Sequence, residues 1–308
     1  MSENQSSPAL RGERPKNGTG IRQTVGALFS VSKRRWLYFP RLFSRREKIR
    51  LAVLSVAAIT VFGILAARVV ASVTRVEPAV GGTLREGVMS DIRFINPLYA
   101  SSDVDLDLTN LVFSKLIRYG EAGEVAMDLA ENVEVSEDGK TYVVHLRRGI
   151  EWHDGAAFSA DDVLFTIKAI QDPAYSSPLR QNWQGVIVEK VDEASVRLVL
   201  RQPYAPFIEN LAVGIIPEHL WRRIPRETAA LSDLNVRPVG TGPYRFQKLT
   251  RHEDGAITSV FLVRNPDYYL SGPYLEEISF AVYPNEAELL AAYRKKDIDS
   301  FFFFSRSV

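Results

Sequence analysis

The feature that most limits what this chain can become is a stretch without charge. From Leu51 to Ala67 the sequence reads LAVLSVAAITVFGILAA, and after Arg68 the apolar character resumes from Val69 to Val73. Wound as a helix, residues 51–73 are about 34 Å long at 1.5 Å per residue, enough to cross a hydrocarbon core of roughly 30 Å. Arg68 lies near the far end, where its stem can follow the helix and its guanidinium reach the interface. A buried core helix is the alternative, but the run shows no polar face against which an apolar one could be defined.

The charges on either side are unequal. Residues 1–75 contain 14 Lys/Arg and 3 Asp/Glu, whereas residues 76–308 contain 24 and 34. Positive charge stays on the cytoplasmic side of a membrane helix, so residues 1–50 read as a cytoplasmic basic arm and the acidic remainder as extracytoplasmic. Trp36, Tyr38, Phe39 and Phe43 stand among the bases, where they suit the inner headgroup layer. A disordered tail is an equal reading for residues 1–32, which are rich in Gly, Ser, Asn and Pro. Val69-Val70-Ala71 would serve as a signal-peptidase site. Against cleavage stand a basic region some fifty residues long and an apolar run beyond the usual ~7–15 residues of a signal core. The chain has no cysteine. That removes disulfides, thiolate metal sites and a lipid-modified cysteine anchor.

Beyond a short linker, 74–82, strand-like and helix-like segments follow one another. Residues 82–88 read as a strand and 106–116 as a helix with Leu106, Leu108, Leu111, Val112 and Leu116 near one face. Residues 133–136 and 142–146 suggest a hairpin turning at Glu137-Asp138-Gly139, and 186–191 with 195–200 a second one at Asp192-Glu193. Ser159 precedes Asp161 and Asp162, a capping arrangement for a helix through Val163, Phe165 and Ile167. A short helix at 206–212, strands at 256–263 and 277–282, and a helix from Glu286 complete a mixed α/β pattern. Phe301-Phe-Phe-Phe304 near the end is poor surface and reads as a strand meant to be covered.

Signals for catalysis are weak. The four histidines (145, 153, 219, 252) show no zinc-protease spacing, no G-x-S-x-G occurs, and Asp161 with Asp162 look like capping charges rather than an acid/base pair. No metal or cofactor site is expected. Basic and aromatic residues do not interleave in the acidic part, so no nucleic-acid partner is expected either.

Several segments in order do carry a resemblance. They are Pro97-Leu-Tyr99; Leu129-Ala-Glu-Asn through Tyr142; His145-Leu-Arg-Arg-Gly-Ile-Glu-Trp-His-Asp-Gly155; Phe158-Ser-Ala-Asp-Asp-Val163; Ile216-Pro-Glu-His219; Pro238-Val-Gly-Thr-Gly-Pro-Tyr-Arg-Phe246; and Asn265-Pro-Asp-Tyr-Tyr269. Together they resemble the extracellular solute-binding family of ABC importers that includes oligopeptide-, dipeptide- and nickel-binding proteins. The resemblance implies a periplasmic-binding-protein-like fold of two lobes that close on a ligand. Residues 83–288 would be the first lobe and 289–308 the start of a second. Family members are longer, so the expectation is a cut-off fold in which residues 300–308 lack partners and the chain alone binds peptides weakly or not at all; the alternative is a truncated single-lobe structural or interaction protein without tight solute binding.

The resemblance also implies a non-catalytic role with permease subunits as partners and a peptide or other small solute as ligand; membrane lipid is the partner expected of the apolar helix Leu51–Val73. Candidates for the ligand wall are Asn96, Tyr99 and Trp183, since aromatics and an amide suit a peptide-like solute. Gly240-Thr241-Gly242-Pro243-Tyr244 lacks the lysine of a phosphate loop. It is either a hinge or cleft-edge turn, or a plain turn leading into a strand. Trp152, His153 and Asp154 either face the cleft or pack a hairpin onto the Asp162 helix, with packing favoured.

Overall fold

The computed structural model describes residues 44–74, 79–120 and 122–301. Most of the basic arm, with Trp36, Tyr38, Phe39 and Phe43, lies outside the described residues, as do residues 302–308. The chain divides into two units, Met1–Glu77 and Pro78–Val308.

In the first unit, α1 (Arg45–Val73) is one continuous helix, six residues longer at its start than the apolar run suggests. The extension is capped. Ser44 Oγ accepts from the Glu47 N–H at 3.4 Å, and Glu47 Oε2 accepts from the Ser44 N–H at 2.8 Å. By length and composition α1 can cross a membrane. None of its residues is buried, and Phe62 is 74 % exposed. Its polar side chains turn back on the helix itself: Thr60 Oγ1 donates to Val56 O and Ser72 Oγ to Val69 O, both at 2.8 Å. This satisfaction of hydroxyls within the segment is what an apolar surrounding requires.

The second unit is mixed α/β. Its elements are β1 (Thr83–Val88), α2 (Asp103–Val112), β2 (Ile117–Tyr119), β3 (Val125–Met127), β4 (Ala130–Val135), β5 (Thr141–Leu146), α3 (Ala160–Gln171), β6 (Ile187–Asp192), β7 (Ser195–Val199), β8 (Tyr244–Arg251), β9 (Ile257–Arg264), β10 (Glu277–Val282), α4 (Glu286–Lys295) and β11 (Ser300–Phe301). They make a five-stranded sheet in the order β11-β1-β10-β9-β8, a four-stranded sheet β4-β5-β7-β6, and the small pair β2-β3. β1 runs parallel to both β10 and β11, while β8, β9 and β10 are antiparallel. A single large core links both sheets to α2 and α3.

Both expected hairpins, β4–β5 and β6–β7, form. The first turns through Gly139 at φ +65°, a backbone that glycine adopts without Cβ strain. Alternation then does the packing. Tyr142, Val144 and Leu146 of β5 and Val196 and Leu198 of β7 point inward and are buried. Each such side chain contributes about 1.5–3 kcal/mol by leaving water. The hairpins β8–β9 and β2–β3 were not expected. β8 was hidden because Tyr244 through Arg251 is mostly polar. α2 ends at Val112, four residues before the expected end, because Phe113–Leu116 leave the helix to bond elsewhere; Lys115 N donates to Asp128 Oδ2 at 2.9 Å. The expected helix at 206–212 is a 3₁₀ segment, Ala205–Ala212.

At the C-terminal side the expectation that residues 300–308 lack partners is corrected for its described part. Ser300 and Phe301 pair in parallel with Glu86 and Gly87. Lys296, at φ +63°, turns the chain after α4, and Asp299 then clamps Arg85: its carboxylate accepts from Arg85 N, Nε and Nη2 at 2.9–3.0 Å, and its own N–H donates to Arg85 O. Leu289, Ala292 and Ile298 bury themselves against the β1 side of this return, with Tyr293 edge-on to Phe301 at 5.1 Å. Positions 288/289 lie within α4, and after it Ser300–Phe301 add to the sheet at β1.

Candidate functional site

Three groups of residues singled out in the sequence occupy three places. Asn96 lies in the loop between β1 and α2 and is fully buried. Its Oδ1 accepts from the Leu98 N–H and its Nδ2 donates to Asn235 Oδ1, both at 2.8 Å. Asn235 in turn accepts the Ile95 N–H at its carbonyl (2.7 Å) and donates through Nδ2 to Ala229 O (2.9 Å). This amide is spent on tying the loop to the segment 229–235. Tyr99 is 7 % exposed, stacks at a tilt on Phe94 (5.3 Å between centroids), and its hydroxyl has no partner. Burial pushes that hydroxyl up to about 12, and nearby Tyr175 adds to the shift.

Trp183 is 1 % exposed and meets Phe207 edge-on at 5.6 Å; Phe207 does the same to Tyr142 at 5.0 Å. It is a core tryptophan of the four-stranded sheet's neighbourhood, apart from Asn96.

The Gly240–Tyr244 turn is joined to the Trp152–Asp154 loop. The His153 N–H donates to Gly240 O at 2.8 Å, Gly240 N–H donates to His153 Nδ1 at 3.2 Å, and His153 Nε2 stands 3.1 Å from Gly242 O. Those partners set the tautomer: Nδ1 accepts and Nε2 donates, which is the neutral imidazole. Burial holds His153 down to about 4, outweighing the Gly242 carbonyl that favours its protonation. The turn also lies against the end of α2, where Gly242 N–H donates to Val112 O at 2.8 Å. A Cβ at Gly242 would come within 2.5 Å of that oxygen, and one at Gly240 would overlap it. Both glycines are thus required by close backbone approach. Thr241 is 1 % exposed with an unpartnered Oγ1, and Tyr244, also buried, donates from its hydroxyl to Leu275 O at 3.1 Å and opens β8. Trp152 packs as favoured: it is 1 % exposed and its Nε1 donates to Asp162 Oδ2 at 3.3 Å, beside the capping bond from Ser159 N–H at 2.9 Å.

Side chains that do reach solvent gather elsewhere. The long loop leaving the carboxyl end of β1 exposes Met89, Ser90, Asp91, Arg93, Ser101 and Asp103, and the parallel neighbour β10 ends beside it at Tyr283-Pro284-Asn285. In open α/β sheets the crevice outside the carboxyl ends of parallel strands is where ligands bind. Asp105 fixes this loop, its Oδ1 accepting from Arg93 N (2.9 Å) and Phe94 N (3.2 Å). Sequence reading passed over these residues because none is part of a motif; Asp105 in the first turn of a capped helix was the available signal.

For bond-making chemistry the nearest arrangement is Glu134–His145–Ser195, across adjacent strands β4, β5 and β7. His145 Nδ1 is 3.3 Å from Ser195 Oγ and Nε2 is 3.3 Å from Glu134 Oε1. Ser195 is 7 % exposed and is the residue directly opposite His145 in the ladder, so this is cross-strand pairing with the hydroxyl closed to a substrate. Among the described residues no three His, Cys, Asp or Glu side chains gather as metal ligands.

Comparison with known proteins agrees with this architecture. Residues 124–307 match the model of the bacterial extracellular solute-binding proteins, family 5 Middle. The oligopeptide-binding protein AppA of Bacillus subtilis is 28 % identical over 237 residues, 73 % of this chain and 41 % of that protein. The dipeptide-binding protein of Escherichia coli is 30 % identical over 226 residues, 66 % of this chain and 41 % of its own. Among solved structures, B. subtilis AppA in complex with a nonapeptide superimposes with a TM-score of 0.68 at 27 % identity, over 73 % of this chain and 44 % of AppA. NikZ from Campylobacter jejuni in complex with Ni(L-His) gives 0.63 at 32 %, over 71 % and 43 %. The chain spans less than half the length of these relatives. A family match over more than half of the chain, carried by the same mixed α/β fold, means that the chain belongs to family 5 of the bacterial extracellular solute-binding proteins.

Proposed function

We propose that this chain is the extracytoplasmic solute-binding component of an ABC importer, held to the membrane by α1 with its N-terminus in the cytoplasm, and that its solute is a peptide. The observation that carries the reading is the likeness to AppA, a structure with a nonapeptide bound, at 27 % identity over 73 % of this chain. Binding without bond-breaking fits a family named for solute binding. In this reading the wall that meets solute is the loop after β1 together with the end of β10, with Asp91, Arg93, Ser101 and Asp103 as the contacting side chains. Behind it, Asn96 holds the loop's shape through Leu98 and Asn235 and Tyr99 packs on Phe94, while Trp183 and the Gly240–Tyr244 turn serve the frame of the lobe. An importer would then read the liganded form through its permease subunits.

The test is to map the amide signals of the full chain in nanodiscs by NMR, with peptides at millimolar concentration. Shifts confined to residues 89–103 and 283–285 support the wall. Shifts clustered elsewhere, or none, sink it. Topology is tested separately on intact cells. The chain has no cysteine, so single cysteines at Ser6 and at exposed Ser271 report their side of the membrane to an impermeant maleimide. Labelling at position 6 and protection at 271 would reverse the orientation.

A further inference from the structure

On the face of the lobe built from α3 and the segment after the helical turn Glu218–Trp221, a groove of 540 Å³ gathers Lys168, Arg222, Arg223 and Arg226. This is unexpected against its background, because residues 76–308 hold ten more acidic than basic side chains, 34 against 24. Only two carboxylates line the groove, Asp172 and Glu227. Asp172 is already committed: Oδ2 accepts from Arg226 Nη1 and Oδ1 accepts from the Ala174 N–H, at 2.8 and 2.9 Å. The Arg226 bond holds its carboxyl below the usual range. Arg222 reaches Glu218 only at 3.5 Å, and neither Lys168 nor Arg223 has a carboxylate within 4.0 Å among the described residues. Phe165, Ile224 and Pro225 add apolar side chains to the lining, with Tyr175 beside them.

We propose that this groove binds a phosphate ester, either the head of an anionic phospholipid or a free small ester. Cations brought together without enough counter-charge repel one another, and a bound anion relieves that repulsion. Guanidinium forks match phosphate oxygens two at a time, and a lysine adds a point charge. The apolar side chains in the lining give the carbon body of an ester a place that a bare ion would leave unused. Nothing in this assignment depends on the peptide wall, which lies on the loop after β1.

The test uses the full chain in phosphatidylcholine nanodiscs. One arm titrates glycerol 3-phosphate by calorimetry. The other floats the nanodiscs with vesicles of phosphatidylcholine or of phosphatidylglycerol. Each is run on the parent and on a Lys168→Glu/Arg223→Glu variant, whose two exposed side chains hold no ion pair, with Lys168→Gln/Arg223→Gln as a milder second variant and circular dichroism to confirm folding. The parent is expected to bind on the order of tenfold or more tightly than the charge-reversed variant, with the difference shrinking at high salt. The difference is the readout because the basic arm also attracts anionic vesicles. Binding of glycerol 3-phosphate alone identifies a free ester, and a difference on phosphatidylglycerol alone identifies lipid. If neither probe separates parent from variant, the groove is a solvated basic face and the proposal fails.

Discussion

His153 makes the stability of the lobe depend on pH in a direction that can be worked out beforehand. Its ring is held neutral between Gly240 N–H and Gly242 O, with burial keeping it down to about 4 against 6.5 in the unfolded chain. Below pH 6.5 the unfolded chain takes up a proton that the folded chain refuses. The stabilisation is therefore complete above about 6.5 and is lost as pH falls towards 4. At pH 4.5 the loss is about 2.5 kcal/mol for the full shift, and about 2 kcal/mol once the ring's partial exposure is allowed for. Protonation also forces Nδ1 to present a hydrogen to the Gly240 N–H, so the turn is where the strain falls. The assay is urea unfolding in mild detergent, followed by fluorescence of the buried Trp152, Trp183 and Trp221, at pH 7 and 4.5. His153→Gln should be less stable than the parent at pH 7 and should lose less between the two pH values, by about 2 kcal/mol. Carboxylates titrating in the same window act on both proteins and cancel in the difference. Equal losses in parent and variant would refute the neutral-ring reasoning.

Further substitutions test the rest of the frame. Gly242→Ala places a Cβ 2.5 Å from Val112 O and should cost about 3 kcal/mol, read as a fall in melting temperature, with Gly240→Ala worse. Trp183→Ala empties the contact with Phe207 and should cost about 3–5 kcal/mol in urea, whatever solute is present. Asn96→Ala strands the Leu98 N–H and Asn235 Oδ1 in the interior and should cost about 2–3 kcal/mol by the same assay. Arg85→Ala removes a pair whose side chains are 43 % and 38 % exposed, so global stability should barely change. Hydrogen exchange at residues 299–301 should nevertheless quicken, because that clamp holds β11 to β1.

Elements with a strong local signal were legible. Ser159 and Asp162 form the capping box that their spacing implied, and Asp138-Gly139 makes the turn that two alternating strands demanded. Elements decided by distant partners were not. β8 alternates poorly and exists because β9, which is strongly apolar, needs a second neighbour. The short β11 is a strand only because β1 offers an unpaired edge 214 positions earlier in the chain and Asp299 finds Arg85 across it. Neither fact has a local sequence correlate.

The candidate site shows the same division at finer grain. An asparagine and three aromatics look alike to a sequence reader whether they line a cleft or fill a core, since both settings favour an apolar body with one polar handle. What separates them is whether the handle is already engaged. Asn96 and Tyr244 have theirs committed to Asn235, Leu98 and Leu275, whereas the Tyr99 hydroxyl is left bare in the interior. The Trp152–Asp154 and Gly240–Tyr244 segments were each noticed, but as separate motifs. Their 87-residue separation hid that one histidine bonds both glycines of the turn. The two glycines have a single cause: the turn presses against the last carbonyl of α2, and there is no room for a side chain there. The Trp152–Asp154 and Gly240–Tyr244 motifs therefore record how one turn is held against the end of α2. In the reading proposed above, solute contacts belong to the less conspicuous exposed residues of the loop after β1.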